Sequence, residues 1–268
     1  MPYKSFMVHL DPTVGAFKRL SLAVALAKEF DAQLIGFTAA ETGEPLTLSA
    51  GTLLPLLKER RREFEIGFES LQKSFTALTA HMRTQWRAGL AQPVDFAANN
   101  ARAADLIILG RSADPEADPR FLMKPASLLM TAGRPLLLVP PDIESLSGDK
   151  IVVAWKSGRH ARLALQQALP LLARASQATV LGVGEETTQD ELDDVCAYLH
   201  LHGVPATSQR RGLGHRTVAK VLIDVAASIG ADLIVSGGYG RGQLREWVLG
   251  GVTKDLLAAS PFCCLMSH

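Results

Sequence analysis

The residues on this chain with the clearest chemical use are glycines: Gly237, Gly240 and Gly242, then Gly250 and Gly251, directly after the apolar run 231–236. The order reads as a buried strand, a glycine-rich turn and a helix. Such a turn presents free backbone N–H groups and the positive end of a helix dipole at the carboxyl edge of a sheet. Phosphate is favoured there, and glycine lets the backbone approach it closely. The spacing sharpens the motif: Gly237, two residues, Gly240, nine residues, then Gly250-Gly251. Arg241 and Arg245 stand near enough in sequence to face a phosphate, and an exposed pairing with Glu246 or solvent is the plainer use of an arginine there. Trp247 reads as a core or interface residue.

No catalytic constellation accompanies the glycines. The chain has no G-x-S-x-G, no G-x-x-x-x-G-K-[ST] and no H-E-x-x-H. Without a Walker lysine or clear Mg²⁺ carboxylates beside the loop, fast ATP hydrolysis is not expected. His200 and His202, two apart on a helix, point to different sides and make a poor zinc pair, so they and His215 read as surface or capping residues. Cys263 and Cys264 are adjacent in a strand and face opposite sides; with Cys196 they read as buried small hydrophobes in a reducing cytoplasm.

The elements that must position the glycines emerge from length and pattern. A chain of 268 residues suits one large domain or two of about 130 residues each. The 47% apolar and 21% charged content is that of a globular protein. With 28 basic and 27 acidic residues the net charge is +1, so nothing draws the chain to nucleic acid or an anionic membrane, and anion binding must be local. No apolar run reaches the roughly 18 residues of a membrane span, and the start, MPYKSFMVHLD, reads as a first strand and not a signal peptide.

The chain repeats itself. Residues 4–11 resemble 150–156, residues 104–110 match 231–237, and 134–139 match 260–265, in the same order. A linker rich in proline, serine and acid over 140–149 separates a first unit, 1–141, from a second, 149–268. In the second unit the pattern predicts strands at 151–155, 178–183, 205–210, 231–236 and 262–266, with helices near 159–174, 188–202 and 215–229 and one after the glycine loop. The first unit repeats this as strands 4–10, 33–38, 82–87, 104–109 and 135–139, with helices 15–30, 55–80, 93–102 and 121–132. A longer insertion, 41–57, precedes the mixed-charge run 58–63, which reads as a solvated face. Alternating elements with continuously apolar strands argue for an α/β fold of two tandem Rossmann-like, doubly wound domains. Ligands in such sheets bind at the carboxyl ends of strands, where strand order switches.

The pattern G-x-x-G, nine residues, G-(S/T) after a buried strand resembles the universal stress protein family, and the resemblance runs through the chain twice. It implies, in each unit, a five-stranded parallel sheet of order 3-2-1-4-5. It also implies an ATP site between the ends of strands 1 and 2 and the glycine loop after strand 4. Pairing of the last strands, here 135–139 with 261–266, would join the units as an intramolecular pseudo-dimer, with a further homodimer open. In the second unit Gly237, Gly240 and Gly250 match the family's glycines, and Val183 matches the residue whose backbone contacts the base. Gly251 stands where the family has Ser or Thr, with Val252 and Thr253 following. Lys156 replaces the usual Asp at the end of strand 1.

The first unit is the reverse case. It keeps Asp11, but its loop 110–119 carries Pro115, Pro119, Asp114, Glu116 and Asp118, which remove donors and repel phosphate. The expectation is therefore a cytoplasmic stress-response module that binds or senses ATP or another adenine nucleotide in its second unit, with Mg²⁺ as the companion ion. Its candidate binding residues are Lys156, Val183, Gly237, Gly240, Arg241, Gly242, Gly250, Gly251, Val252 and Thr253. The competing readings are a nucleotide-free scaffold and a weak ATPase.

Overall fold

The structure, a computed structural model, describes residues 2–41, 50–111, 118–238 and 251–268, with the side chains of 50–56 excepted. The first half of the chain runs β1 (Ser5–His9), α1 (Val14–Glu29), β2 (Gln33–Ala40), α2 (Ala50–Leu78), β3 (Thr84–Leu90), α3 (Pro93–Asn100), β4 (Leu106–Gly110), α4 (Pro125–Thr131) and β5 (Leu136–Val139). The second runs β6 (Lys150–Trp155), α5 (Arg159–Leu172), β7 (Gln177–Val183), α6 (Gln189–Leu201), β8 (Ala206–Arg211), α7 (Val218–Ile229), β9 (Leu233–Gly237), α8 (Gly251–Ala259) and β10 (Cys263–Ser267).

All ten strands form one sheet of order β3-β2-β1-β4-β5-β10-β9-β6-β7-β8. Each half has the expected order 3-2-1-4-5 and is parallel throughout. The halves meet where β5 and β10 pair antiparallel, Leu138 opposite Cys264 and Leu136 opposite Met266. The chain is thus two doubly wound domains in tandem, sharing one sheet. Apolar side chains on both faces explain the unbroken hydrophobic strands. One core lies on the side of α1 and α5, the other on the side of α4 and α7, and each continues across both halves. Cys263 joins the first core and its neighbour Cys264 the second, as strand alternation requires.

Local chemistry sets the element ends and moves several from their predicted places. Thr188 caps α6 with a full capping box, its hydroxyl accepting from the Glu191 N–H while the Glu191 carboxylate accepts from the Thr188 N–H. Thr217 caps α7 in the same sense, so that helix begins at Val218, later than the hydrophobic pattern suggests. In place of a helix over 121–132 the chain makes a short 3-10 turn, Pro119–Phe121, and then α4, because Pro119 and Pro125 each open a new helical start. The helix α2 begins at Ala50, inside the predicted insertion, and runs through Pro55. Among the described residues no helix is long and apolar enough to cross a membrane.

Candidate functional site

In the second half, β7, β6 and β9 lie side by side and parallel, so their carboxyl ends form one edge. Strands stand about 4.8 Å apart, so this edge spans roughly 10 Å. Val183 ends β7, Lys156 follows β6, and Gly237 ends β9. Three of the predicted site residues are therefore brought together by the sheet alone. The strand order reverses between β6 and β9, which is the switch point where such sheets take ligands.

Each of the three is engaged in its own way. Val183 is half-buried and packs on the core. The Lys156 side chain is exposed, and its Nζ lies 2.6 Å from Glu186 Oε2, in the turn after β7. The hydrogen bond and charge of Lys156 hold the Glu186 carboxyl below its usual range. Gly237 is pressed against the first turn of α5: a Cβ there would sit 2.7 Å from both the Ala161 nitrogen and the His160 carbonyl carbon. Only glycine fits that contact, so Gly237 serves strand–helix packing whatever else it does.

Gly240, Arg241, Gly242 and Gly250 lie outside the described residues, as do Arg245 and Trp247. Gly251 opens α8, and a Cβ on it would meet no described residue within 4 Å. Val252 packs against the core. Thr253, the hydroxyl nearest to the one the family pattern places at 251, is 5% exposed, so it belongs to the interior of the α8 contact and not to an open surface.

The edge also holds residues that the sequence did not single out. The rings of His160 and His268 meet at a tilt, with centroids 4.2 Å apart. His268 Nδ1 lies 3.4 Å from the Gly238 carbonyl. Burial lowers the His268 pKa, the Gly238 carbonyl raises it, and nearby His160 and Arg159 lower it further. Gly158 precedes α5 and supplies no side-chain cap. The short strand-to-helix segment 156–160 carries the cations Lys156 and Arg159, a signal visible in the sequence once its strand was placed. The contact of His160 with His268 has no sequence signal, because it joins residues from opposite ends of the unit. The histidines considered for metal are used locally. His200 Nε2 lies 3.0 Å from the Ala206 carbonyl, and His202 is the C-cap of α6, its ring tilted against Tyr198.

The same edge in the first half is built differently. Asp11, two residues past β1, accepts the Thr13 hydroxyl and lies 3.1 Å from Arg19 Nη2. Arg19 Nε donates to the His9 carbonyl at 2.9 Å, and His9 Nδ1 is 3.5 Å from Asp11 Oδ2. Burial pushes the Asp11 carboxyl up, but the charges of Arg19 and His9 and the bonds from Thr13 and Arg19 more than offset this, leaving it low. Burial carries His9 down to about 4 against the pull of Asp11, with Arg19 adding to the fall. Asp118, one of the acids read as repelling phosphate, is held by Arg120, whose Nη2 lies 2.6 Å from Oδ2. Arg120 in turn covers the Phe64 ring, and its carbonyl accepts from the Glu41 N–H beyond β2 at 3.0 Å. The other residues of that loop, 112–117, lie outside the described residues.

Residues 183–268 match the universal stress protein family. The match begins at Val183 and takes in the whole glycine segment. A universal stress protein from Archaeoglobus fulgidus is 15% identical, covering 98% of this chain and 95% of that one, with a TM-score of 0.74. A putative universal stress protein from Pseudomonas aeruginosa is also 15% identical, covering 99% of this chain and 93% of that one at 0.61. At that identity the likeness concerns the fold: both halves of the sheet have the universal stress protein arrangement. A universal stress protein solved in complex with cAMP is 20% identical and covers 53% of this chain and 100% of that one, at a TM-score of 0.35. No curated protein matches by sequence.

Proposed function

We propose that the second unit binds an adenine nucleotide, ATP in the first instance, and that the protein acts in a stress response as a nucleotide-binding or nucleotide-sensing module and not as a metabolic catalyst. One observation carries this reading: the universal stress protein match, 183–268, spans the edge where β7 and β9 end and where α8 begins at Gly251. In this reading phosphate lies against the backbone N–H groups from Gly237 to Gly251 and the start of α8, where the helix dipole favours an anion. Arg241, Lys156 and Arg159 supply positive charge around it, and the Val183 backbone faces the base. Glu186, paired with Lys156, adds an acceptor at the same edge. Mg²⁺ would accompany the phosphates and neutralise part of their charge.

Equilibrium binding of ATP to the purified chain tests the proposal. Saturable binding that Gly240→Asp abolishes supports it. No binding at millimolar ATP, with Gly240→Asp behaving like the parent, sinks it.

A nucleotide-free scaffold is the second reading. It is favoured by one finding: the contact of Gly237 with His160 and Ala161 accounts for that glycine without a ligand. Nucleotide released from the denatured, freshly purified protein would count against it.

A further inference from the structure

The switch point of the first unit lies between β1 and β4, and it is filled from within. Arg19 projects from α1 into this position and is only 4% exposed, an unusual degree of burial for a guanidinium. Its Nε donates to the His9 carbonyl at the end of β1, and its Nη2 lies 3.1 Å from Asp11 Oδ2. The remaining side of the guanidinium lies along the end of β4. A Cβ at Gly110 would sit 3.1 Å from Arg19 Cζ and closer still to Nη1, so β4 must end on glycine for the arginine to fit. A carboxylate, a carbonyl and a bare backbone thus surround the planar fork on three sides. Thr13 holds the carboxylate in place through its hydroxyl.

Among its described residues the second unit has no such plug. Arg19 stands eight residues after Asp11; eight residues after Lys156 comes Ala164, buried and without a functional group. There the glycine that ends the fourth strand, Gly237, touches the α5 backbone. Equivalent glycines therefore face a side chain in one unit and a helix in the other.

We infer that the first unit's switch point is a guanidinium slot occupied by the chain's own Arg19, which closes that unit to an outside ligand and leaves one ligand site per chain. The slot selects a planar cation with several donors, a geometry that lysine does not reproduce. The count of one ligand per chain rests on the nucleotide reading of the second unit; the occupied slot does not.

Chemical rescue tests the slot directly. Arg19→Ala in the full chain lowers the unfolding temperature. Millimolar methylguanidinium raises it again by about 2 °C or more, as expected for a ligand that binds only the folded state. The parent gains nothing, because its slot is full. No rise in Arg19→Ala, or an equal rise with N-methylurea, overturns the inference. If Arg19→Ala does not fold, Arg19→Lys decides: it keeps the charge but loses the fork, so it unfolds below the parent, and equal stability overturns the inference. Equilibrium dialysis with ATP then gives one nucleotide per parent chain. Two per chain refutes the closed first unit. None refutes the nucleotide reading of the second unit and leaves the rescue result to decide the slot.

Discussion

The two carboxyl edges of this sheet come from one repeated pattern and have opposite electrostatic characters. In the first half, Arg19 is buried beneath Gly110 and bonded to the His9 carbonyl and the partly buried Asp11, with His9 Nδ1 3.5 Å from the same carboxylate. In the second, the charges at the corresponding edge, Lys156 and Glu186, are solvent-exposed and, among the described residues, paired with each other. Burial decides the difference. Water screens the exposed pair, so its partners remain available to a ligand. The buried Arg19 must be satisfied from within, because a charge left alone in the interior is costly. A duplicated fold can thus keep one edge open and convert the other into structure without changing strand order.

The strongest way to break this comparison is to remove one buried partner. Asp11→Asn should cost on the order of 3–5 kcal/mol, because it leaves the Arg19 guanidinium buried without its counter-charge. Lys156→Met in the second half should leave the urea midpoint unchanged. If the two variants destabilise equally, the edges do not differ as described.

Acid should separate the halves as well. His9 titrates near 4 in the folded chain and near 6.5 when unfolded, so the unfolded state takes up its proton first. The stability tied to neutral His9 is complete above about pH 6.5 and is lost as pH falls towards 4. Urea midpoints at pH 7, 5.5 and 4.5 should fall in the parent and fall less in His9→Gln.

A smaller, paired effect concerns the glycines. Gly237→Ala forces a methyl group into the α5 backbone and should cost about 1–3 kcal/mol, the usual range for overpacking. Gly251→Ser meets no described residue within 4 Å, so stability should hold. A hydroxyl at that helix start adds a donor for phosphate, and ATP should bind about tenfold tighter, in line with a hydrogen bond to a charged group. A Gly251→Ser variant that folds well but binds no tighter would remove phosphate from the start of α8.

Much of this molecule was legible in the sequence. Repeated apolar runs marked the strands, since a strand covered on both faces has no polar side to show. Thr188 with Glu191 marked the start of α6, because capping is a local matter of three residues. The boundaries that moved did so where a proline or a threonine cap competed with the hydrophobic pattern, at Pro119, Pro125 and Thr217. Lys156, Val183 and Gly237 could be assigned to one edge from strand order alone. The use of Asp11 was not legible, because nothing near it in sequence announces that Arg19 turns inward to meet it.

The sequence by itself determined the duplication and the alternation of strand and helix, both of which follow from periodicity and residue type over short distances. Tertiary structure alone decided which charges are spent inside the molecule and which stay at its surface. Arg19 against Gly110, His160 on His268, and Gly237 against α5 each join segments far apart in the chain. Their energies depend on burial, which exists only once the sheet has brought them together.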